Sequence, residues 1–119
     1  MIQSPPGATF GGFVDEALVG IAGLVVSDRQ KLRHKGLLVG IYVDPANRGG
    51  GLARSLVERV IQEARSAGLL TLQLHVSVGN APAERLYRGL GFQVFGVEER
   101  ALRVGDRFVD DIMMVLRLD

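Results

Sequence analysis

The stretch from Ile41 to Leu56, Ile-Tyr-Val-Asp-Pro-Ala-Asn-Arg-Gly-Gly-Gly-Leu-Ala-Arg-Ser-Leu, constrains this chain more than any other. It reads as a strand closed at Pro45, a tight glycine turn and an amphipathic helix. Leu52, Leu56, Val57, Val60, Ile61 and Ala64 recur at helical spacing, which predicts a helix over residues 52–67 with one apolar face. Gly68 follows as its stop. Glycines before a helix start leave several backbone N–H groups uncovered and let a ligand approach the backbone. The aligned peptide dipoles add partial positive charge there, and Arg48 and Arg54 add full charges. The combination suits a pyrophosphate.

Two familiar phosphate loops fail on this stretch. A P-loop places Lys and Ser or Thr after its last glycine, whereas Leu52-Ala53 follow Gly51. The dinucleotide fingerprint needs a third glycine where Arg54 stands. A nucleotide-binding domain is therefore disfavoured.

The remainder of the chain sets the surrounding frame. With 119 residues, 47% of them hydrophobic, there is material for one domain, 1–119, with one core. A net charge of +1 gives no case for nucleic-acid binding through phosphates. There is no cysteine, and the two histidines, His34 and His75, are too few for a histidine metal cluster, so no metal is expected. No apolar run is long enough to cross a bilayer, and the first residues lack the pattern of a signal peptide, so the expectation is a cytoplasmic protein away from membranes.

In chain order, residues 1–8 read as loose, residues 9–14 as a first strand and Asp15-Glu16 as a turn. Residues 18–26 are apolar almost throughout, as in a central strand covered on both faces. Residues 27–36 form a polar connection with Arg29, Lys31, Arg33, His34 and Lys35, either a solvated loop or help for an anionic cofactor or acidic substrate. Residues 37–43 lead into the glycine turn. Residues 69–78 form a second central strand, with Leu70, Leu72, Leu74, Val76 and Val78 on one face and Thr71, Gln73, His75 and Ser77 on the other. Asn80 caps a helix over about residues 81–90, Pro82 suits its first turn, and Gly91 ends it. Residues 92–98 and 108–118 pair as a hairpin around Val104-Gly105-Asp106-Arg107. The strand–helix–strand centre implies a right-handed crossover and parallel strands. The fold class is α/β with α+β character: a mixed, centrally parallel sheet with helices on its faces.

Arg-x-x-Gly-x-Ala from Arg48 to Ala53, after a strand ending Val-Asp-Pro, resembles the acyl-CoA-binding motif of the GNAT family of N-acetyltransferases. A second segment in the right order, with Asn80, Ala83, Tyr87, Gly91 and Phe92 at the family's spacing, resembles it too. Together they cover about residues 37–92. The resemblance implies that the two central strands splay and hold the pantetheine arm of acetyl-CoA. Ile41, Tyr42 and Val43 would lie along that arm, with the backbone of Ile41 and Val43 pairing with it. The N–H groups of Arg48, Gly49, Gly50, Gly51, Leu52, Ala53 and Arg54 would hold the pyrophosphate. Asn80 and Ala83 would meet the cofactor further along.

The implied reaction is direct attack of a primary amine on the thioester. Tyr87 matches the family's proton donor to the departing thiolate; the other reading is a packed helix tyrosine with a bonded hydroxyl. His75 stands where some family members acting on protein N-termini carry a catalytic Glu, so it serves either as the base or as a histidine bonded on a sheet face. Tyr42, Asp28, His34 and Asp44 are further pocket candidates. The usual first strand and two helices of the family have no counterpart here, which leads to the expectation of a truncated form, an open sheet edge and a homodimer. The acceptor is a small-molecule amine or a protein N-terminus. The alternative to an enzyme is a non-catalytic acyl-CoA-binding or interaction module on the same fold.

Overall fold

In the computed structural model, which describes residues 7–14, 17–27 and 29–119, the backbone forms six strands and two helices. They are β1 (Gly7–Val14), β2 (Ala17–Val26), β3 (Lys35–Val43), α1 (Leu52–Ser66), β4 (Thr71–Ser77), α2 (Ala81–Gly89), β5 (Gln93–Val104) and β6 (Arg107–Arg117). The strands follow the order β1-β2-β3-β4-β6-β5 in one mixed α/β arrangement. Two units divide inside β4: the first runs to Leu72 and includes Leu118–Asp119, the second is Gln73–Arg117.

In the first unit β1, β2 and β3 form an antiparallel meander. Helix α1 packs on it through Leu56, Val57, Val60, Ile61 and Ala64, the apolar stripe expected from the spacing, and these five are buried with Val19, Ala22, Leu24, Val26, Leu38 and Val43. The approach is close at Leu52 and Leu56, where the sheet presents glycines. A Cβ on Gly12 would fall 2.5 Å from Leu52 Cδ1, and one on Gly20 would fall 3.1 Å from Leu56 Cδ1. Two irregularities shape the strand ends. Between Gly12 and Phe13 the register advances by one residue on β1 and two on β2, and the carbonyl of the extra residue, Val19, accepts from the Asp44 amide at 2.7 Å. Between Ile21 and Gly23 the partners run from Tyr42 to Val39, so β3 carries one extra residue, with Gly40 at φ +64°.

In the second unit α2 carries Tyr87, and β5 and β6 form an antiparallel hairpin. Leu74, Val76, Tyr87, Phe92 and Met114 are its buried side chains. The hairpin closes through the two residues Gly105 and Asp106, with Gly105 at φ +62° as a type II′ turn requires.

Several expectations need correction. β1 starts at Gly7, inside the segment read as loose; residues 1–6 and the turn at Asp15-Glu16 lie outside the described residues. β2 is not covered on both faces, since Leu18, Ile21 and Val25 are exposed, because α1 occupies only one side of the meander. β3 ends at Val43, as expected, but starts at Lys35, two residues before the expected Leu37; Pro45 opens a short 3-10 turn, Pro45–Asn47. β5 continues past Glu98 to Val104. Its charged run Glu98-Glu99-Arg100 is absorbed by a bulge in which Arg100 adopts φ +54° and donates its amide to Asp110 Oδ1 at 2.9 Å. The connection over residues 29–34 is exposed, as a solvated loop should be, and contains a 3-10 turn, Gln30–Leu32.

Candidate active site

The glycine turn is built from the end of β3 outward. Asp44 Oδ1 accepts from the Ala46 amide at 3.2 Å and the Asp44 carbonyl from the Asn47 amide at 2.8 Å, which sets the 3-10 turn. Arg48 Nε then donates to the Val43 carbonyl at 2.9 Å, and its guanidinium stands 5.7 Å from the centre of the Tyr42 ring. Gly49 and Gly51 follow at φ +85° and +86°. Gly51 is the N-cap residue of α1, and no side chain caps the helix. The first helical bond is from the Ser55 amide to the Gly51 carbonyl at 3.0 Å. Leu52, Ala53 and Arg54 therefore present amides without an intrahelical acceptor. A Cβ on Gly49 or Gly51 would meet nothing within 4 Å. The glycine backbone borders open space beside uncapped first-turn amides, a fit for a diphosphate. Arg54 pairs with Glu58 at 3.5 Å on the exposed helix surface, which offsets part of its charge. Ile41 is half-buried, Tyr42 exposed and Val43 buried.

The second unit holds the other candidates. Asn80 Oδ1 accepts from the Ala83 amide at 3.3 Å and Pro82 lies in the first turn, so α2 starts as its sequence predicts. Asn80 is exposed and Ala83 is half-buried. Tyr87 packs its ring edge-on against Phe92, centroids 5.9 Å apart. Its hydroxyl makes no hydrogen bond among the described residues. Burial raises its pKa above the ordinary phenol value, so the group stays a protonated donor. On β4, Leu74 and Val76 are buried while the His75 side chain is 39% exposed on the opposite face. His75 Nδ1 lies 3.7 Å from Asp111 Oδ2 and 4.0 Å from Glu98 Oε1.

The two carboxylates beside His75 were not singled out from the sequence. A signal exists: Asp110-Asp111 interrupts an otherwise apolar run from Phe108 to Leu116, and carboxylates seldom stand in such a strand without a partner. The extra residue in β3 was missed too, although Gly40 inside a strand pattern points to it. Among the other pocket candidates, Asp44 is spent on the 3-10 turn, and His34 is exposed with its carbonyl accepting from the Leu70 amide at 2.8 Å. Asp28 lies outside the described residues. Among the described residues no three His, Cys, Asp or Glu side chains are grouped as metal ligands, and no helix is long and apolar enough to cross a membrane.

The acetyltransferase (GNAT) family matches residues 1–92, and the chain belongs to that family. Among curated relatives, an L-methionine sulfoximine/L-methionine sulfone acetyltransferase of Salmonella typhimurium is 38% identical over 66% of this chain and 46% of its own length. The [ribosomal protein bS18]-alanine N-acetyltransferase of Escherichia coli K12 is likewise 38% identical, over 66% of this chain and 53% of its own. The chain thus spans about half the length of these relatives. Among solved structures, a GNAT acetyltransferase from Streptococcus pneumoniae superposes with a TM-score of 0.87 at 31% identity, covering 92% of this chain and 66% of that one. A Salmonella typhimurium structure, yncA, solved with its cofactor acetyl-CoA, gives a TM-score of 0.86 at 28% identity, covering 93% and 64%.

Proposed function

We propose that the chain, acting over residues 1–119 as one domain, transfers the acetyl group of acetyl-CoA to a primary amine. The observation that carries this reading is the bare amide array from Gly49 to Arg54 over space that no Cβ fills. Arg48 and the α1 amides bind the diphosphate, Ile41 to Val43 line the arm, and Asn80 Nδ2 is a further donor to the cofactor. Acetyl-CoA supplies an activated thioester. His75 Nε2 takes the proton that the attacking amine must lose, and the Tyr87 hydroxyl gives one to the departing thiolate, so that amide and thiol form with no net proton consumed. An unbonded, protonated Tyr87 hydroxyl supports that assignment.

The acceptor class extends from small amino-acid amines to protein N-termini, because the two relatives named for their substrates carry one of each. The protein works in the cytoplasm as a homodimer, in keeping with exposed Val94, Phe95 and Val97 on β5, the last strand in the sheet order. A monomer at micromolar concentration by sedimentation would reject the dimer.

Calorimetric titration with acetyl-CoA, with ATP as control, tests the main reading. Acetyl-CoA binding and amine acetylation that Tyr87→Phe lowers are the expected results. Binding without turnover of any amine would leave only an acyl-CoA-binding module. No binding by the folded protein would overturn the reading.

A further inference from the structure

His75 and Ser77 are two residues apart on β4 and share one face. Asp111 on β6 addresses both. Its Oδ1 accepts from Ser77 Oγ at 3.5 Å, and its Oδ2 stands 3.7 Å from His75 Nδ1. The backbone beside it is fixed by two observations: the Val78 amide donates to the Asp110 carbonyl at 2.9 Å, and Asp111 is in register with Glu98 on β5. Glu98 also faces Nδ1, at 4.0 Å, but its side chain is 54% exposed, whereas that of Asp111 is 14% exposed. A charge withdrawn from water acts more strongly at similar distance, so Asp111 dominates at Nδ1.

The consequence concerns the tautomer. A neutral imidazole carries its proton on one nitrogen and a lone pair on the other, and a carboxylate beside one nitrogen favours the proton there. At 3.7 Å the attraction is electrostatic, without a made hydrogen bond, and it still places N–H toward the carboxylate. We infer that Asp111 is a positioning residue for His75: it holds the ring as the Nδ1–H tautomer and leaves Nε2 as the acceptor of the amine's proton. When Nε2 gains that proton the ring becomes a cation, and Asp111 compensates it. This rests on the reading of His75 as the base; Ser77 keeps Asp111 turned toward the ring.

The test reads the tautomer directly, before any turnover. Long-range nitrogen–proton NMR of the full chain at about pH 9, well above the ordinary imidazole pKa of about 6.5, reports which nitrogen of His75 carries the proton. Nδ1–H is expected in the unaltered protein, a shift toward Nε2–H in Asp111→Asn, and return in Asp111→Glu. Glu98→Gln should shift it less. With acetyl-CoA and an accepted amine, Asp111→Asn should lower kcat about 10- to 100-fold with KM for acetyl-CoA unchanged. The same tautomer in Asp111→Asn as in the unaltered protein, in a variant with a dispersed amide spectrum, would overturn the inference. His75→Ala separates the two levels. If it leaves kcat unaltered, the base assignment fails and takes the inference with it. If it lowers kcat while Asp111→Asn changes neither tautomer nor kcat, the inference alone fails.

Discussion

Arg48 turns back onto the strand it follows, its Nε donating to the Val43 carbonyl at 2.9 Å. One side chain therefore ties the end of β3 to the start of the glycine turn, and its exposed guanidinium stands 5.7 Å from the centre of the Tyr42 ring. Arg48→Ala should remove a charge-assisted bond worth about 1.5–3 kcal/mol before relaxation, lowering thermal stability by several degrees. Acetyl-CoA affinity should fall about tenfold, or about 1.4 kcal/mol. Arg48→Lys should restore the charge and not the affinity, because an ammonium cannot donate to Val43 and to a phosphate as a planar fork does. Calorimetry on the three proteins checks both statements.

Gly51 holds φ +86° at the N-cap, a conformation that costs a residue with a Cβ about 1–2 kcal/mol. Gly68 holds φ +79° at the other end of the same helix. Gly51→Ala and Gly68→Ala should therefore lose similar stability in a denaturant titration. Only Gly51→Ala should weaken acetyl-CoA, since its methyl group enters the space over the amide array. Equal binding by the two variants would remove the glycine turn from the site.

Tyr87→Phe deletes a hydroxyl that no described residue bonds, so stability at pH 7 should change by less than about 0.5 kcal/mol. Turnover should fall about 100-fold, the usual size of a lost general acid. The pH dependence has a definite sign. The folded-state phenol pKa is raised by burial above its unfolded value near 10, so the folded protein binds the proton more tightly. Its contribution to stability is complete below about pH 10 and is lost as pH rises through the folded value. Unfolding measured between about pH 9 and 11 should show this loss in the unaltered protein and not in Tyr87→Phe.

The helices and the glycine turn were legible because their signals are local. The spacing of Leu56, Val57, Val60, Ile61 and Ala64 defines the face that α1 buries, and Asn80 with Pro82 defines the start of α2. Ends of strands were less legible. β3 starts at Lys35, two residues before the expected Leu37, because Gly36 still pairs with Val26 on β2, a partner that the neighbouring sequence does not announce. β5 runs through Glu98-Glu99-Arg100 because Asp110 on the opposite strand accepts the Arg100 amide. The same limit hid Asp111. Its place beside His75 depends on strand register, which is set by pairing between distant segments.

Asn80 serves two ends of one side chain. Its Oδ1 caps α2 through the Ala83 amide at 3.3 Å, and its Nδ2 is the donor proposed for the cofactor. Asn80→Asp keeps an oxygen acceptor and places negative charge at the helix N-terminus, so the cap should hold and stability should be equal or slightly higher. The substitution removes the Nδ2 donor and adds repulsion toward an anionic cofactor. Asn80→Ala removes both functions and should cost about 1 kcal/mol of stability in addition. If Asn80 contacts acetyl-CoA, both variants bind it more weakly while only Asn80→Ala is less stable. If Asn80 is a cap alone, Asn80→Asp binds acetyl-CoA as the unaltered protein does. Parallel denaturation and calorimetric titration of the two variants decide between these outcomes.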